Sequence, residues 1–307
     1  MIVRKKENWF RMLFIWEGSV LPSVLPRLIL IFVLSVIVVY FHGTLLDYKV
    51  PLNPAPFTLF GFVLALFLGF RNNASYDRFW EGRKLWGALL NVSRALTRQV
   101  TTLTNGSLSK EEILVFLNLN IAFIYALKHQ LRRSDAGADL EIHLSESHFK
   151  RAKDAKYKPA IIMQMMGECI QDIRAKQYID SIQQARIDEN LDKLSDILGG
   201  CERIVSTPIP YSYSVLLHRT VYIYCFLLPF GLVDSLSWFT PFIVCFIAYT
   251  FVAFEAIADE IEEPFGSEAN DLALNTMSKM IEETTLEMVG HKAAINREDH
   301  PNLKIID

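Results

Sequence analysis

Hydrophobic and polar positions divide the chain into long uncharged runs and stretches that recur on a helical period. Residues 28–46 carry no charge, and a helix of that length rises about 28 Å, close to the thickness of a hydrocarbon core. This is the clearest membrane segment. A second uncharged run, residues 50–70, opens on Pro51, Pro54 and Pro56, so its helix is expected over residues 57–70, short for a full crossing. A short apolar helix at that depth needs protein or water beside it, and Gly61 and Gly69 would let neighbours approach closely. A third run, residues 213–233, holds His218 and Arg219 near its start and Pro229 near its end, which fits a broken or kinked span. The fourth, residues 235–254, is uncharged and long enough to cross unaided. Asp234 between these two predicts a tight turn and an antiparallel helical hairpin.

Between the second and third runs the period changes meaning. Ile113, Phe116, Leu117, Asn120, Ile121 and Ile124 recur at three- and four-residue steps, and Ile182, Ile187, Leu191, Leu194 and Leu198 follow the same pattern of amphipathic helices. Residues 101–109 are turn-rich and residues 131–158 are polar, so both are expected breaks. No repeat, low-complexity tract or strand pattern stands out. The fold class that follows is all-α: a polytopic membrane protein with four membrane segments and helical cytosolic regions over residues 71–210 and 255–307, in one domain of residues 1–307.

Charge sets the orientation. Arg4, Lys5, Lys6, Arg11 and Arg27 precede the first run, and Arg71, Arg78, Arg83 and Lys84 follow the second, while the turns near residues 47–49 and at Asp234 carry almost no basic residues. An even number of crossings with that bias places both termini in the cytoplasm. The chain is 51% hydrophobic, yet 21% of it is charged with a net charge of −3, so a large part must also face water and no basic excess points to nucleic acid. The charged start lacks the apolar core and cleavage site of a secretory signal. The cysteines Cys169, Cys201, Cys225 and Cys245 are widely spaced, without a CxxC pair, and read as free thiols rather than a disulfide framework or thiolate metal site.

Two constellations are candidates for function. Phe62, Leu66 and Phe70, four residues apart, share one helix face. Such a stripe ordinarily means packing, but rings of apolar side chains also gate pores, because a narrow apolar passage holds water poorly and an ion must shed hydration to pass. The second is the acidic group Glu255, Asp259, Glu260, Glu262 and Glu263. Carboxylates crowded at a helix C-terminus oppose its dipole and call for basic partners, backbone N–H groups or a cation. Solvated charge, or pairing with the basic N-terminus, is the plainer meaning. A di-iron site would need Glu-x-x-His pairs, which this cluster lacks. The seven histidines show no metalloprotease spacing, and no phosphate loop or nucleophile elbow is present, so no enzyme class is supported.

At residues 67–87, Phe-Leu-Gly-Phe-Arg-Asn-Asn-Ala-Ser-Tyr-Asp-Arg-Phe-Trp-Glu-Gly-Arg-Lys-Leu-Trp-Gly, the chain resembles the bestrophin family, in particular its prokaryotic members. Gly-Cys-Glu-Arg-Ile at 200–204, Thr-Pro-Ile-Pro-Tyr at 207–211, Leu-His-Arg-Thr-Val-Tyr at 217–222 and Glu-Glu-Pro-Phe-Gly at 262–266 follow in that family's order and spacing. The resemblance implies a homopentameric ion channel of the plasma (inner) membrane, in contact with lipid. The second helix of each subunit would line a central neck, with Phe62, Leu66 and Phe70 as its rings, and the cytosolic helices would enclose a vestibule whose exit is narrowed by a ring of Ile182. Animal members hold calcium in a clasp beside the Pro-Phe-Gly motif, and the matching positions here are Glu260, Glu263, Glu268 and Asp271. The clasp's run of aspartates is shortened and acids replace its amides, so no cofactor is expected, calcium being the one ion these positions bring into question. The wider family mostly passes chloride and other anions, whereas prokaryotic relatives can favour sodium and other monovalent cations; apolar rings do not choose a sign, and selectivity stays open. The competing readings are a non-conducting membrane scaffold or interaction protein and a membrane metalloenzyme built on the acidic group.

Overall fold

The computed structural model describes residues 8–16, 18–45, 48–49 and 52–291. Arg4, Lys5, Lys6, Asp47, Val50, Pro51 and the tail from residue 292 lie outside the described residues. In chain order the helices are α1 (Trp9–Met12), α2 (Leu21–Tyr40), α3 (Pro54–Thr102), α4 (Lys110–Arg132), α5 (Gly137–His143), α6 (Glu146–Lys153), α7 (Lys158–Ala175), α8 (Ser181–Ser206), α9 (Tyr211–Leu236), α10 (Thr240–Glu262) and α11 (Leu274–Met288). The all-helical expectation is met apart from a minimal antiparallel ladder of β1 (Thr44–Leu45) and β2 (Tyr48–Lys49), which pairs Thr44 with Lys49 and Leu45 with Tyr48.

Helix boundaries move wherever local backbone chemistry outranks the edge of an uncharged run. The first span is Leu21–Tyr40 rather than residues 28–46. Pro22 sits in its first turn, where a missing N–H costs nothing, and exposed Arg27 can keep its charged head in a polar layer. It stops because His42 and Gly43 are left-handed, with φ of 50° and 71°, and the Gly43 N–H returns to the Val38 carbonyl at 2.8 Å. The second helix is not the short element expected over residues 57–70: it begins at Pro54 and continues for 49 residues to Thr102, about 73 Å at 1.5 Å per residue. No proline follows Phe70 within α3, and Gly82 and Gly87 are tolerated in its interior, so the change from apolar to charged side chains alters what the helix faces without ending it. The third and fourth spans are Tyr211–Leu236 and Thr240–Glu262. Asp234 is not the turn: it lies inside α9, and the reversal is made at Ser237, φ 46°, followed by one tight turn over Ser237–Phe239. The polar stretch 131–158 is not a plain break either, since it holds α5 and α6.

Contacts along the chain define two compact units. Among the described residues the apolar unit comprises residues 8–16, 18–45, 48–49, 52–79 and 208–264. Here α2, α9, α10 and the first half of α3 enclose Val24, Ile31, Leu64, Leu68, Val221, Val244 and Phe251. Within a bilayer such a core is held by close packing rather than by release of water. Gly61 allows one such approach, since a Cβ there would stand 2.8 Å from the Tyr224 hydroxyl, whereas Gly69 faces open space and has no neighbour to admit.

Among the described residues the bundle unit comprises residues 80–207 and 265–291. Its core gathers Trp86 and Leu96 of α3, Phe116, Phe123 and Ile124 of α4, Ile162 and Met166 of α7, Ile187 and Leu194 of α8, and Ile281 of α11, all fully buried. Starts are fixed by side chains: Ser109 and Glu112 form a reciprocal cap on α4, and Asp180 and Gln183 one on α8. The Asn190 amide donates to Gln99 Oε1 at 2.8 Å, and Gln99 donates to the Arg186 carbonyl at 3.1 Å, which fixes α8 against the second half of α3.

Candidate functional site

Through the apolar unit α3 buries one narrow stripe. Leu64, Leu68, Arg71 and Ser75 are at most 3% exposed, and they fall on one line along the helix at four- and three-residue steps. Phe62, Leu66 and Phe70 are 70%, 47% and 57% exposed. At about 100° per residue their mean direction lies roughly 190° from the buried stripe, diametrically opposite it. The three expected neck residues thus share one face, and it lies at the centre of the arc that the chain's own core leaves bare. Leu59, 67% exposed, continues this face toward the helix start, and the 37% and 42% exposed Val63 and Phe67 flank it.

Ile182 belongs to the bundle unit, in the first turn of α8 between the capping residues Asp180 and Gln183, and is 73% exposed. A large aliphatic side chain at a polar, capped helix start gains nothing from water.

The acidic group finds partners on neighbouring helices. The buried Arg71 guanidinium pairs with Asp259 and lies 3.6 Å from Glu262. Glu262 Oε1 accepts the Ile209 N–H at 3.0 Å, and its carbonyl accepts from Arg78 at 3.1 Å. His218 Nδ1 lies 2.7 Å from Glu255 Oε1. Sequence reading recognised the need for basic partners but not that α3 and α9 supply them. The available signal was positional, because Arg71, His218 with Arg219, and Glu255 are each the first charges beside an uncharged run.

The four clasp-equivalent acids divide between the units, Glu260 and Glu263 in the apolar unit and Glu268 and Asp271 in the bundle unit. Glu263 and Glu268 are exposed, while Asp271 is 3% exposed and folds into a local turn in which its Oδ2 accepts the Glu268 N–H at 2.7 Å. Among the described residues no three His, Cys, Asp or Glu side chains are grouped to hold a metal.

The bundle unit carries its own titratable cluster. The Tyr125 hydroxyl donates to Glu282 at 2.6 Å and the ring stacks on His143 at 5.3 Å, while His129 and Lys128 reach Asp139 at 2.8 and 2.9 Å. Burial pushes His143 below its ordinary pKa, outweighing the charges of Glu282 and Asp139. Burial would raise Asp139, but hydrogen bonds from His129 and Lys128 and their charges hold its carboxyl below the usual value. The cluster ties α4 to α5 and α11 and has no catalytic geometry.

A body that is helical apart from one minimal ladder, with four apolar helices in one unit and a bare apolar face on one of them, defines a multi-pass membrane protein. A family profile described as Bacterial/Fungal Bestrophin protein matches residues 1–287, and the chain belongs to that family of ion channels. It is 51% identical over 290 residues to a voltage-dependent anion channel-forming protein of Ralstonia nicotianae, covering 94% of this chain and 95% of that one. It is 40% identical over 288 residues to the voltage-dependent anion channel-forming protein YneE of Escherichia coli, with 94% of each chain covered. The solved structure of a bacterial bestrophin homologue from Klebsiella pneumoniae superposes with a TM-score of 0.85 at 39% identity, covering 88% of this chain and all of that one.

Proposed function

We propose that five copies of the chain form a passive channel for monovalent ions in the plasma (inner) membrane, with both termini in the cytoplasm. Phe62, Leu66 and Phe70 line its neck and Ile182 narrows a second constriction. The observation that carries this reading is the bare face of α3. An apolar stripe set opposite the buried one needs a surrounding that a single chain does not provide, and a ring of copies supplies it: neighbours on the flanks and a narrow, poorly wetted passage in front. The names of the relatives support anions as the permeant species; the neck contributes no charge that would choose the sign.

Reconstitution into planar bilayers under asymmetric sodium chloride tests both parts. The expected result is a current whose reversal potential lies on the chloride side, reduced or altered in selectivity by Leu66→Ala with Ile182→Ala. A reversal on the sodium side would transfer the permeant role to cations. Unchanged current in a variant with Asp at positions 62, 66 and 70 would remove the neck from this stripe. A monomer or dimer mass in detergent would favour the scaffold reading instead.

A further inference from the structure

On three helices of the apolar unit the first charge beyond an uncharged stretch arrives at one cavity. Helix α3 is uncharged from Pro54 to Phe70 and then places Arg71; α10 is uncharged from Thr240 to Phe254 and then places Glu255. Helix α9, followed backwards, is uncharged from Val233 to Thr220 and then places Arg219 and His218. These side chains, with Asp259 and Ser214, line an open cavity of about 370 Å³. Where three packed helices change from apolar to charged at one level, a surrounding bilayer changes from hydrocarbon to headgroups.

Two of the lining groups are buried charges with an atom unmatched. The Arg71 side chain is 2% exposed, and its Nε–H makes no hydrogen bond among the described residues despite the ion pairs of its Nη2. The Glu255 side chain is 3% exposed, and its Oε2 likewise makes none, although Oε1 meets His218. One unmatched atom is a donor and the other an acceptor, and leaving either unmatched in a buried setting is costly. The charges also balance: Arg71 and Arg219 stand against Glu255 and Asp259. A simple anion entering this cavity meets two carboxylates, and a simple cation meets two guanidiniums. A ligand with both signs a few ångströms apart meets a complementary group for each.

We propose that this cavity binds a phosphate–ammonium zwitterion, the headgroup chemistry of a phosphatidylethanolamine lipid, with the phosphate toward Arg71 and Arg219 and the ammonium toward Glu255. A guanidinium matches phosphate oxygens, and a primary ammonium brings N–H donors that a quaternary choline lacks. The level of the cavity favours the lipid as the source; soluble phosphoethanolamine carries the same chemistry.

Native mass spectrometry of the full-length protein, titrated with phosphatidylethanolamine, phosphatidylcholine or phosphatidylglycerol of identical acyl chains, tests the proposal. Phosphatidylethanolamine should be retained about tenfold better than either other lipid, the scale of one charge-assisted hydrogen-bond pair. Glu255→Gln should erase its advantage over phosphatidylcholine, and the exposed Arg219→Gln should weaken retention of all three lipids while the oligomer's mass stays that of the wild type. Competition by soluble phosphoethanolamine would show that the headgroup suffices, and its failure to compete would assign the site to the intact lipid. Equal retention of the three lipids, or an undiminished preference in both variants, would overturn the proposal. The readout is bound mass and not current, so its failure leaves the channel reading untouched.

Discussion

Helices α3 and α4 are both long and apolar enough to cross a membrane, yet the fold treats them oppositely. In the most apolar window of α4, 61% of residues are buried inside the chain, against 17% in that of α3. Helix α4 buries Phe116, Leu119, Phe123, Ile124 and Leu127 among neighbours in the bundle unit and opens on a capped, acidic first turn. Helix α3 shows Leu59, Phe60, Phe62, Phe67 and Phe70 to its surroundings. Hydropathy alone therefore does not say what a helix is for. A helix satisfied by its own chain belongs to a core, and one left bare over most of its circumference is built for lipid, for other copies or for an axial passage.

If that contrast is right, truncations in the two helices should differ most. Phe123→Ala should cost about 3–5 kcal/mol, as large core cavities do, whereas Phe62→Ala should change single-chain stability by less than about 0.5 kcal/mol. Thermal unfolding in detergent compares them, and equal losses would place Phe62 in a core. Gly61→Ala sharpens the contrast from the packed side of α3. Its Cβ would press on the Tyr224 hydroxyl, which donates to the Phe57 carbonyl at 3.3 Å, so a loss of about 1–2 kcal/mol is expected in the same assay.

A smaller effect separates the units by pH. His143 is held neutral in the fold, so the unfolded chain takes up more protons as pH falls below about 6.5. The stability of the bundle unit is thus intact above that pH and declines toward the lower folded value, and Asp139 adds its own loss at more acid pH, below the unfolded carboxylate value. Melting curves between pH 7.5 and 5.5 should show the decline, and His143→Gln should flatten it. Least of all should depend on the exposed Lys49–Asp234 pair, 2.8 Å apart at the hairpin; Asp234→Asn should shift stability by less than about 0.5 kcal/mol.

Much of this architecture was legible from the chain. Uncharged runs marked the four apolar helices, because a bilayer tolerates few charges and soluble helices rarely go so long without one. Their ends were less legible. The start at Leu21, the stop at Tyr40 and the reversal at Ser237 depend on left-handed residues and first-turn prolines, which a count of charges does not register. The length of α3 was missed because Arg71 reads as the close of an apolar run, although nothing there breaks a helix. Phe62, Leu66 and Phe70 were nominated by spacing and by family resemblance, yet their common bare face emerges only once Leu64 and Leu68 are known to point into the core. The gathering of Arg71, His218 and Glu255 was not legible, since it joins residues far apart along the chain through the packing of three helices.

The central claim is that the bare face of α3 borders water rather than lipid, and single-cysteine accessibility addresses it most directly. With half-buried Cys245 replaced by Ser, background is low, for burial pushes the Cys169 thiol up to about 11 and that of Cys201 to about 12, and Cys225 is buried. In bilayers carrying the protein, a charged, membrane-impermeant thiol reagent should abolish most of the current through Leu66→Cys and leave that through Leu68→Cys unchanged. Block of the Leu68→Cys channel with none at position 66 would contradict the account.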